Sequence, residues 1–303
     1  MRLTSLLLAC VCIGSLVGCP NSQPNTSTSI PLSDENPVED NDVNEKLSER
    51  VNRLAVKLTS DISKEIETVG QHDWAGSYYK GDGLGENVSL ILSPKNGYLF
   101  EWHGCMGLYD RNYGNIERKK QRLRLSFTFP NTRQGFQGIA EEFLPVSWGN
   151  RTYLIPSDDV VGFCNDVNSG NEPRNRVHGN YLLRDGDEMK PVAGHPDIPP
   201  KYRPYLLDQP IETEVIRIGS ITTRPSIGDW NFKDTEVILN VGTSDGVLLG
   251  MELYVVTPNN IVTSAIIRSV EDDNSTGVIT QIGDDARAIE TGWKLSTRPR
   301  WKN

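Results

Sequence analysis

The chain has 303 residues, with 31 Lys and Arg against 40 Asp and Glu and a formal net charge of -9. That acidity leaves no basic surface for nucleic acid, and 37% hydrophobic residues describe an ordinary globular composition rather than a membrane-embedded one. A chain of this length defaults to two compact domains, each able to bury its own core.

At the N-terminus, Arg2 precedes an apolar run from Leu3 to Val17, and the run ends in Leu16-Val17-Gly18-Cys19. The pattern resembles a bacterial lipoprotein signal peptide over residues 1–18. The resemblance implies that Cys19 is diacylated on sulfur and becomes the N-terminus after cleavage, so the membrane is met through an N-terminal lipid of the palmitate type. The alternative is a retained transmembrane anchor, for which a run of 15 residues falls short of the about 20 needed. Pro20 stands where an Asp commonly holds lipoproteins in the inner membrane. The expectation is therefore the cell envelope, on the periplasmic face of the outer membrane in a Gram-negative cell.

Residues 19–43 are rich in Asn, Ser, Thr, Pro and acids and cannot bury enough surface to fold. They are expected to form a disordered tether whose roughly 25 residues span roughly 25 to 30 Å. Asp42 followed by Glu45 reads as a capping box. Leu47, Val51, Leu54, Leu58, Ile62, Ile66 and Val69 then recur at three- and four-residue spacing, predicting one amphipathic helix over 44–70. Its stripe can dock on the next domain or form a coiled-coil seam, although Asp61 breaks the heptad.

From residue 71 the periodicity alternates, which predicts a mostly β protein. Val88, Leu90 and Leu92 share one strand face, and Tyr98, Phe100 and Trp102 share a face across the Asn96-Gly97 turn, giving a hairpin. Leu123, Leu125, Phe127 and Phe129 are expected to face inward. Arg118, Lys119, Lys120, Arg122 and Arg124 mark a solvated edge, with an anionic-lipid contact as the alternative. Gly107 to Gly114 is polar and aromatic, and Asp110, Arg111 and Tyr113 are its candidate ligand-binding residues. Ser157 is expected to cap a short helix over 158–168, a strand follows at 181–184, and prolines 191, 196, 199, 200 and 204 place a protease-sensitive boundary near Leu207. The domain 71–207 opens with Asp73-Trp74-Ala75-Gly76-Ser77-Tyr78, in which it resembles bacterial envelope lipoproteins without an assigned activity.

Of the five cysteines, Cys10 and Cys12 leave with the signal and Cys19 takes lipid. Cys105 and Cys164 remain. In an exported protein they are expected to pair, closing a loop of roughly 60 residues worth about 4 kcal/mol. Free structural thiols, or a metal-binding or nucleophilic thiol beside His103, are the alternatives. The four histidines, His72, His103, His178 and His195, show no metal-ligand spacing, and no Gly-x-Ser-x-Gly elbow is present. Neither a metal nor a cofactor is expected.

Residues 208–303 carry short Val-, Ile- and Thr-rich runs at 214–218, 236–241, 251–256, 262–268 and 276–282, which predict a small antiparallel barrel. The run Asn240-Val241-Gly242-Thr243-Ser244-Asp245-Gly246-Val247, leading to Gly250-Met251, resembles the β-domains of rod-shape-determining and flagellar-assembly envelope proteins. That resemblance implies an assembly surface without catalytic residues. The expected fold is two small antiparallel β-barrel or sandwich-like domains behind a tether and a helix. The expected function is a non-enzymatic, lipid-anchored binding or assembly module with an envelope protein or glycan as partner. The competing expectation is an envelope-polymer hydrolase or metal-binding protein using His103, Cys105 or Asp110.

Overall fold

The structure is a computed structural model that describes residues 39–70, 72–81, 85, 87–133, 136–170, 181–225, 231–258, 262–283 and 286–299. The signal, the expected tether up to residue 38 with Cys19, and His178 lie outside the described residues, while residues 39–43, expected to belong to the tether, are the first residues of a helix. The chain from Glu45 onward is one compact unit, and Met1–Asn44 is counted apart from it.

The fold is mostly β, as the alternation predicts. The first barrel comprises β1 (Gly76–Gly81), β2 (Asn87–Ser93), β3 (Gly97–Gly104), β4 (Gly107–Lys119), β5 (Arg122–Phe127), β8 (Glu142–Trp148), β9 (Arg151–Pro156) and β10 (Leu182–Arg184). The two-residue strands β6 (Thr132–Arg133) and β7 (Phe136–Gln137) pair with each other outside it. The eight strands follow one another in an antiparallel meander, and β10 closes on β1. Closure removes the free edges that would otherwise template aggregation. The upper end of this barrel carries the turns 93–97, 119–122, 148–151 and 184–187, and the lower end carries the turn 104–107, the end of β1 and the start of β2.

The interior is packed with side chains. Tyr78, Leu90, Leu92, Tyr98, Phe100, Leu123, Leu125, Phe143, Leu154 and Leu182 form one buried cluster, and Leu90 faces Phe100 while Leu92 faces Tyr98, as the hairpin reading requires. Gly97 is required at that turn: its φ is +77°, and a Cβ there would lie 1.9 Å from the Gly114 carbonyl oxygen. Phe129 corrects the inward reading of its strand. β5 ends at Phe127, and Phe129 packs outside the barrel, edge-on to Tyr113 at 5.3 Å between ring centroids.

Several strands are apolar on both faces because two opposite walls are covered from outside. Helix α1 (Glu39–Val69) lays Ala55, Leu58, Ile62 and Ile66 on Ile91, Leu99 and Tyr113, so its stripe docks on the domain. It begins at Glu39, before the expected Asp42 cap. Gly70, at φ +66°, ends it, and its N–H reaches the Ile66 carbonyl. The Glu65 carboxylate clamps the upper turn: it accepts from the Lys95 N–H at 3.0 Å, the Asn96 N–H at 3.1 Å, the Asn96 side chain at 2.8 Å and the Ser93 hydroxyl.

On the opposite wall, four strands away in the ring, helix α2 (Val160–Ser169) packs Val160, Phe163 and Cys164 on Leu144, Val146, Tyr153, Ile155 and Leu183. The expected Ser157 cap is not used. The Ser157 N–H continues the barrel by bonding the Glu142 carbonyl at 2.9 Å, and Asp159 holds the N-cap position.

The second barrel is formed by β11 (Glu212–Pro225), β12 (Asn231–Leu239), β13 (Glu252–Thr257), β14 (Ser264–Val270), β15 (Ser275–Ile282) and β16 (Lys294–Ser296), ordered β11-β12-β15-β14-β13-β16. Val215, Val237, Leu239, Met251, Leu253, Ala265, Ile267, Ile279, Trp293 and Leu295 fill it. β16 was not expected; its three residues close the barrel by pairing with both β11 and β13.

The joint between the barrels is made by α2. Asn165 donates to the Gly250 carbonyl at 3.0 Å and accepts from the Glu252 N–H at 3.1 Å. Asn168, one turn later, donates to the Tyr205 carbonyl at 2.8 Å and accepts from the Leu207 N–H at 3.0 Å. The proline-rich connector is thus a packed element. Residues 200–205 form a 3-10 turn, and Tyr205 touches the apolar clusters of both barrels.

Asn168→Ala leaves two backbone groups of the connector unpaired and should cost about 1 to 3 kcal/mol. Melting should show the loss, and limited proteolysis should cut between 199 and 209 in the variant while sparing the parent. For Glu65, burial alone would raise the carboxyl, but bonds from Ser93, Lys95 and Asn96 together bring it below its ordinary 4.5. A lowered carboxylate stabilises above its unfolded value, and the contribution is lost as pH falls through the folded one. Glu65→Gln should therefore lower stability by about 1 kcal/mol at neutral pH, discounted for exposure, and should flatten the acid side of the melting-temperature profile below pH 4.5.

Candidate functional site

At the upper end of the first barrel the 148–151 turn, the 184–190 segment and the approach to β1 enclose a cleft of about 520 Å³. It is lined by His72, Asp73, Ser147, Gly149, Asn150, Arg151, Thr152, Arg184 and Lys190. Each is placed by local structure. Arg151 opens β9 and is 1% exposed; its Nε donates to the Lys190 carbonyl at 2.6 Å and its Nη1 to the Tyr153 hydroxyl at 3.4 Å. Asp187, also 1% exposed, accepts from the Thr152 N–H at 2.8 Å and from Lys190 Nζ at 2.5 Å, which ties the turn to the strand.

Arg184 Nη2 donates to the Tyr78 hydroxyl at 2.9 Å, and its guanidinium lies 5.4 Å from the centre of that ring. Burial pushes the Tyr78 hydroxyl up to about 12, against the opposing pull of Arg184, so it remains a neutral partner. Across the cleft, His72 Nδ1 accepts from the Ala75 N–H at 3.1 Å and the Trp74 N–H at 3.3 Å. Asp73 bonds Arg118 at 2.6 Å.

The lining therefore gathers three cations against one lining carboxylate, in a protein whose formal charge is -9. Ser147, Thr152 and Asn150 add neutral hydrogen-bonding groups. Planar guanidinium groups suit carboxylate and phosphate, and hydroxyl and amide groups suit sugar hydroxyls. His72 Nδ1 also lies 2.9 Å from the Asp73 carboxylate.

The residues expected to bind ligand do not gather at this cleft. Asp110, Arg111 and Tyr113 lie on β4, not on a loop, and a strand's period of two sends them to opposite faces. Asp110 is buried on the inner face, opposite Trp102. Arg111 and Tyr113 point outward under α1. Arg111 bonds Glu101 at 2.7 Å and Asn52 at 3.1 Å, and Tyr113 packs with Phe129, so both fasten the helix to the barrel.

The expected staple is likewise corrected. Cys105 and Cys164 are free; Cys105 is exposed in the β3–β4 turn, and Cys164 is buried between α2 and the β8–β10 wall. Their elements lie on different parts of the barrel, β3 and the β9 wall standing four strands apart. Burial raises the Cys164 thiol to about 12, so it remains protonated, while the Cys105 sulfur lies 3.6 Å from the Tyr109 hydroxyl. Among the described residues no group of three or more His, Cys, Asp or Glu side chains is placed to hold a metal ion, and no helix is long and apolar enough to cross a membrane. The basic run is solvated, as expected, but not on an edge, since β4 and β5 are each paired on both sides of the closed barrel; Arg118, Lys119, Arg122 and Arg124 pair with Asp73, Glu117, Glu142 and Glu141.

Comparison of the chain with known protein families, with characterised proteins and with solved structures finds no match.

Thiol titration of the chain from Pro20 onward should find one thiol reacting in the native state, Cys105, with Cys164 reacting only on unfolding. A disulfide-linked peptide pair in a non-reduced digest of the exported protein would restore the staple.

Proposed function

We propose that this protein is a lipid-anchored cell-envelope binding module without enzymatic activity, held at the membrane by Cys19 and recognising an anionic envelope glycan or an acidic protein segment in the upper cleft. The observation that carries the reading is the concentration of Arg151, Arg184 and Lys190 around one polar cleft of about 520 Å³. Both barrel interiors are packed with side chains, so recognition falls to the outside of the scaffold. The anchor is supported by the Leu16-Val17-Gly18-Cys19 box, and the outer-membrane assignment by Pro20. The second barrel, by its resemblance to envelope-assembly β-domains, supports a role in assembly alongside binding.

Fatty-acid labelling tests the anchor: the parent should take up label and Cys19→Ala should not. Titration with uronic-acid oligosaccharides tests the cleft. Arg184→Gln should weaken binding by about tenfold, corresponding to about 1.4 kcal/mol, with the loss growing smaller at high salt. Equal affinity of parent and variant would remove the cleft as the recognition surface.

A further inference from the structure

The strand register places four side chains of the upper cleft in one row. Tyr78 on β1 stands opposite Arg184 on β10, and Leu183 stands opposite Tyr153 on β9. One further step along that register sets Arg184 beside Thr152, which in turn faces Ser147 on β8. The alternation of the strands fixes which way the row looks. Tyr78, Phe143, Leu154 and Leu182 belong to the barrel interior, so Arg184, Thr152 and Ser147 share that inner face and stand at its mouth, above the packed core. Tyr78 forms the floor, its hydroxyl donating to the Trp74 carbonyl at 2.8 Å and accepting from Arg184.

Little of the positive charge around this row is available to a ligand. Arg151 lies on the opposite face of β9, with Tyr153 and Ile155, where it is 1% exposed and bonded to the Lys190 carbonyl and the Tyr153 hydroxyl. Lys190 Nζ is held on the buried Asp187 carboxylate at 2.5 Å. Arg184 differs from both, since among the described residues it is half-buried and makes no ion pair. Its Nε lies against Gly76, where a Cβ would come within 3.4 Å, and one Nη2 hydrogen goes to Tyr78. The Nη1 side of the fork is left for a ligand.

We propose that the cleft seats one carboxylate on Arg184 and sugar hydroxyls on Thr152, Ser147 and Asn150, so that its ligand is a glycan bearing a single uronate among neutral sugars. The proposal rests on the reading of the cleft as the recognition site and narrows it. A carboxylate lies in the guanidinium plane and needs only two N–H positions, whereas a phosphate brings further oxygens that call for a second free cation. A second carboxylate on the ligand would find Arg151 buried and Lys190 already paired, and would face the Asp73 carboxylate in the same lining. That disfavours polyuronates and acidic peptides. From β10 to β8 the row covers two strand spacings, about 10 Å, which suits a sugar and its neighbour.

Calorimetric titration of the full chain in detergent compares four probes. They are an oligosaccharide with one glucuronate between neutral sugars, the same oligosaccharide with that carboxyl reduced to the alcohol, a polyglucuronate of equal length and an oligoglutamate peptide. The single-uronate probe should bind at least about tenfold tighter than its reduced form, and Arg184→Gln should erase that preference. Thr152→Val, whose backbone N–H still reaches Asp187, should weaken both forms by about fivefold and keep the preference. The polyglucuronate and the oligoglutamate should gain nothing from their added charge. If Arg184→Gln binds every probe as the parent does, the cleft reading and the carboxylate seat fall together. If Arg184→Gln loses affinity but either polyanion binds the parent about tenfold tighter than the single uronate does, the single-carboxylate seat alone is overturned, and a tighter oligoglutamate would assign the cleft to an acidic protein segment.

Discussion

Two side-chain amides on one short helix hold this molecule together as a unit. Asn165 and Asn168 each offer a carbonyl and an amide in the geometry of a peptide group, so each completes the hydrogen bonding of a backbone segment that has no strand beside it. Buried backbone polar groups must be paired, and at the junction of two closed barrels no free edge remains to pair them. Asparagine at i and i+3 solves this from one face of α2. Both are nearly fully buried, where a lost bond is expensive. Gly250, at φ +84° and with Val161 only 3.3 Å from where its Cβ would stand, lets the second barrel approach the helix.

That joint depends on a barrel whose walls are unequal. The β3 and β9 walls are apolar on both faces because α1 and α2 cover them, whereas β5 alternates Arg122, Leu123, Arg124, Leu125 and meets solvent. The helices act as two outer plates on a packed cylinder. A closed barrel filled by Tyr78, Tyr98, Phe100 and Phe143 has no room for a ligand, so polar function is displaced to its rim. There Arg151 and Asp187, both buried, hold the turns that shape the cleft, while Arg184 and Lys190 are more open to its solvent side.

The two thiols show how differently one residue type behaves in two settings. Cys164 is a small apolar core residue whose thiolate is suppressed by desolvation. Cys105 sits at a turn tip among exposed apolar side chains. The cysteine count in an exported chain suggested a bridge, yet a bridge needs Cα atoms within about 7 Å, and that requirement is a property of the barrel ring rather than of the spacing along the chain.

Periodicity alone determined the mostly β character, the β2–β3 hairpin with its facing Leu90 and Phe100, the amphipathic helix ending at Gly70 and five of the six strands of the second barrel. These depend on neighbours two, three or four residues apart, and such local contacts are written directly in the order of side chains. The solvation of the basic run at 118–124 was readable for the same reason, but not its place inside a closed ring. Tertiary structure decided what depends on distant partners: that Phe129 turns outward, that Asp110 and Tyr113 part to opposite faces of β4, that three residues of β16 close a barrel, and that the proline-rich connector is packed. The cleft belongs to this second group. Arg151, Arg184 and Lys190 are separated by up to 39 residues in sequence and carry no motif, and only closure of the meander brings the 148–151 and 184–187 turns to one rim.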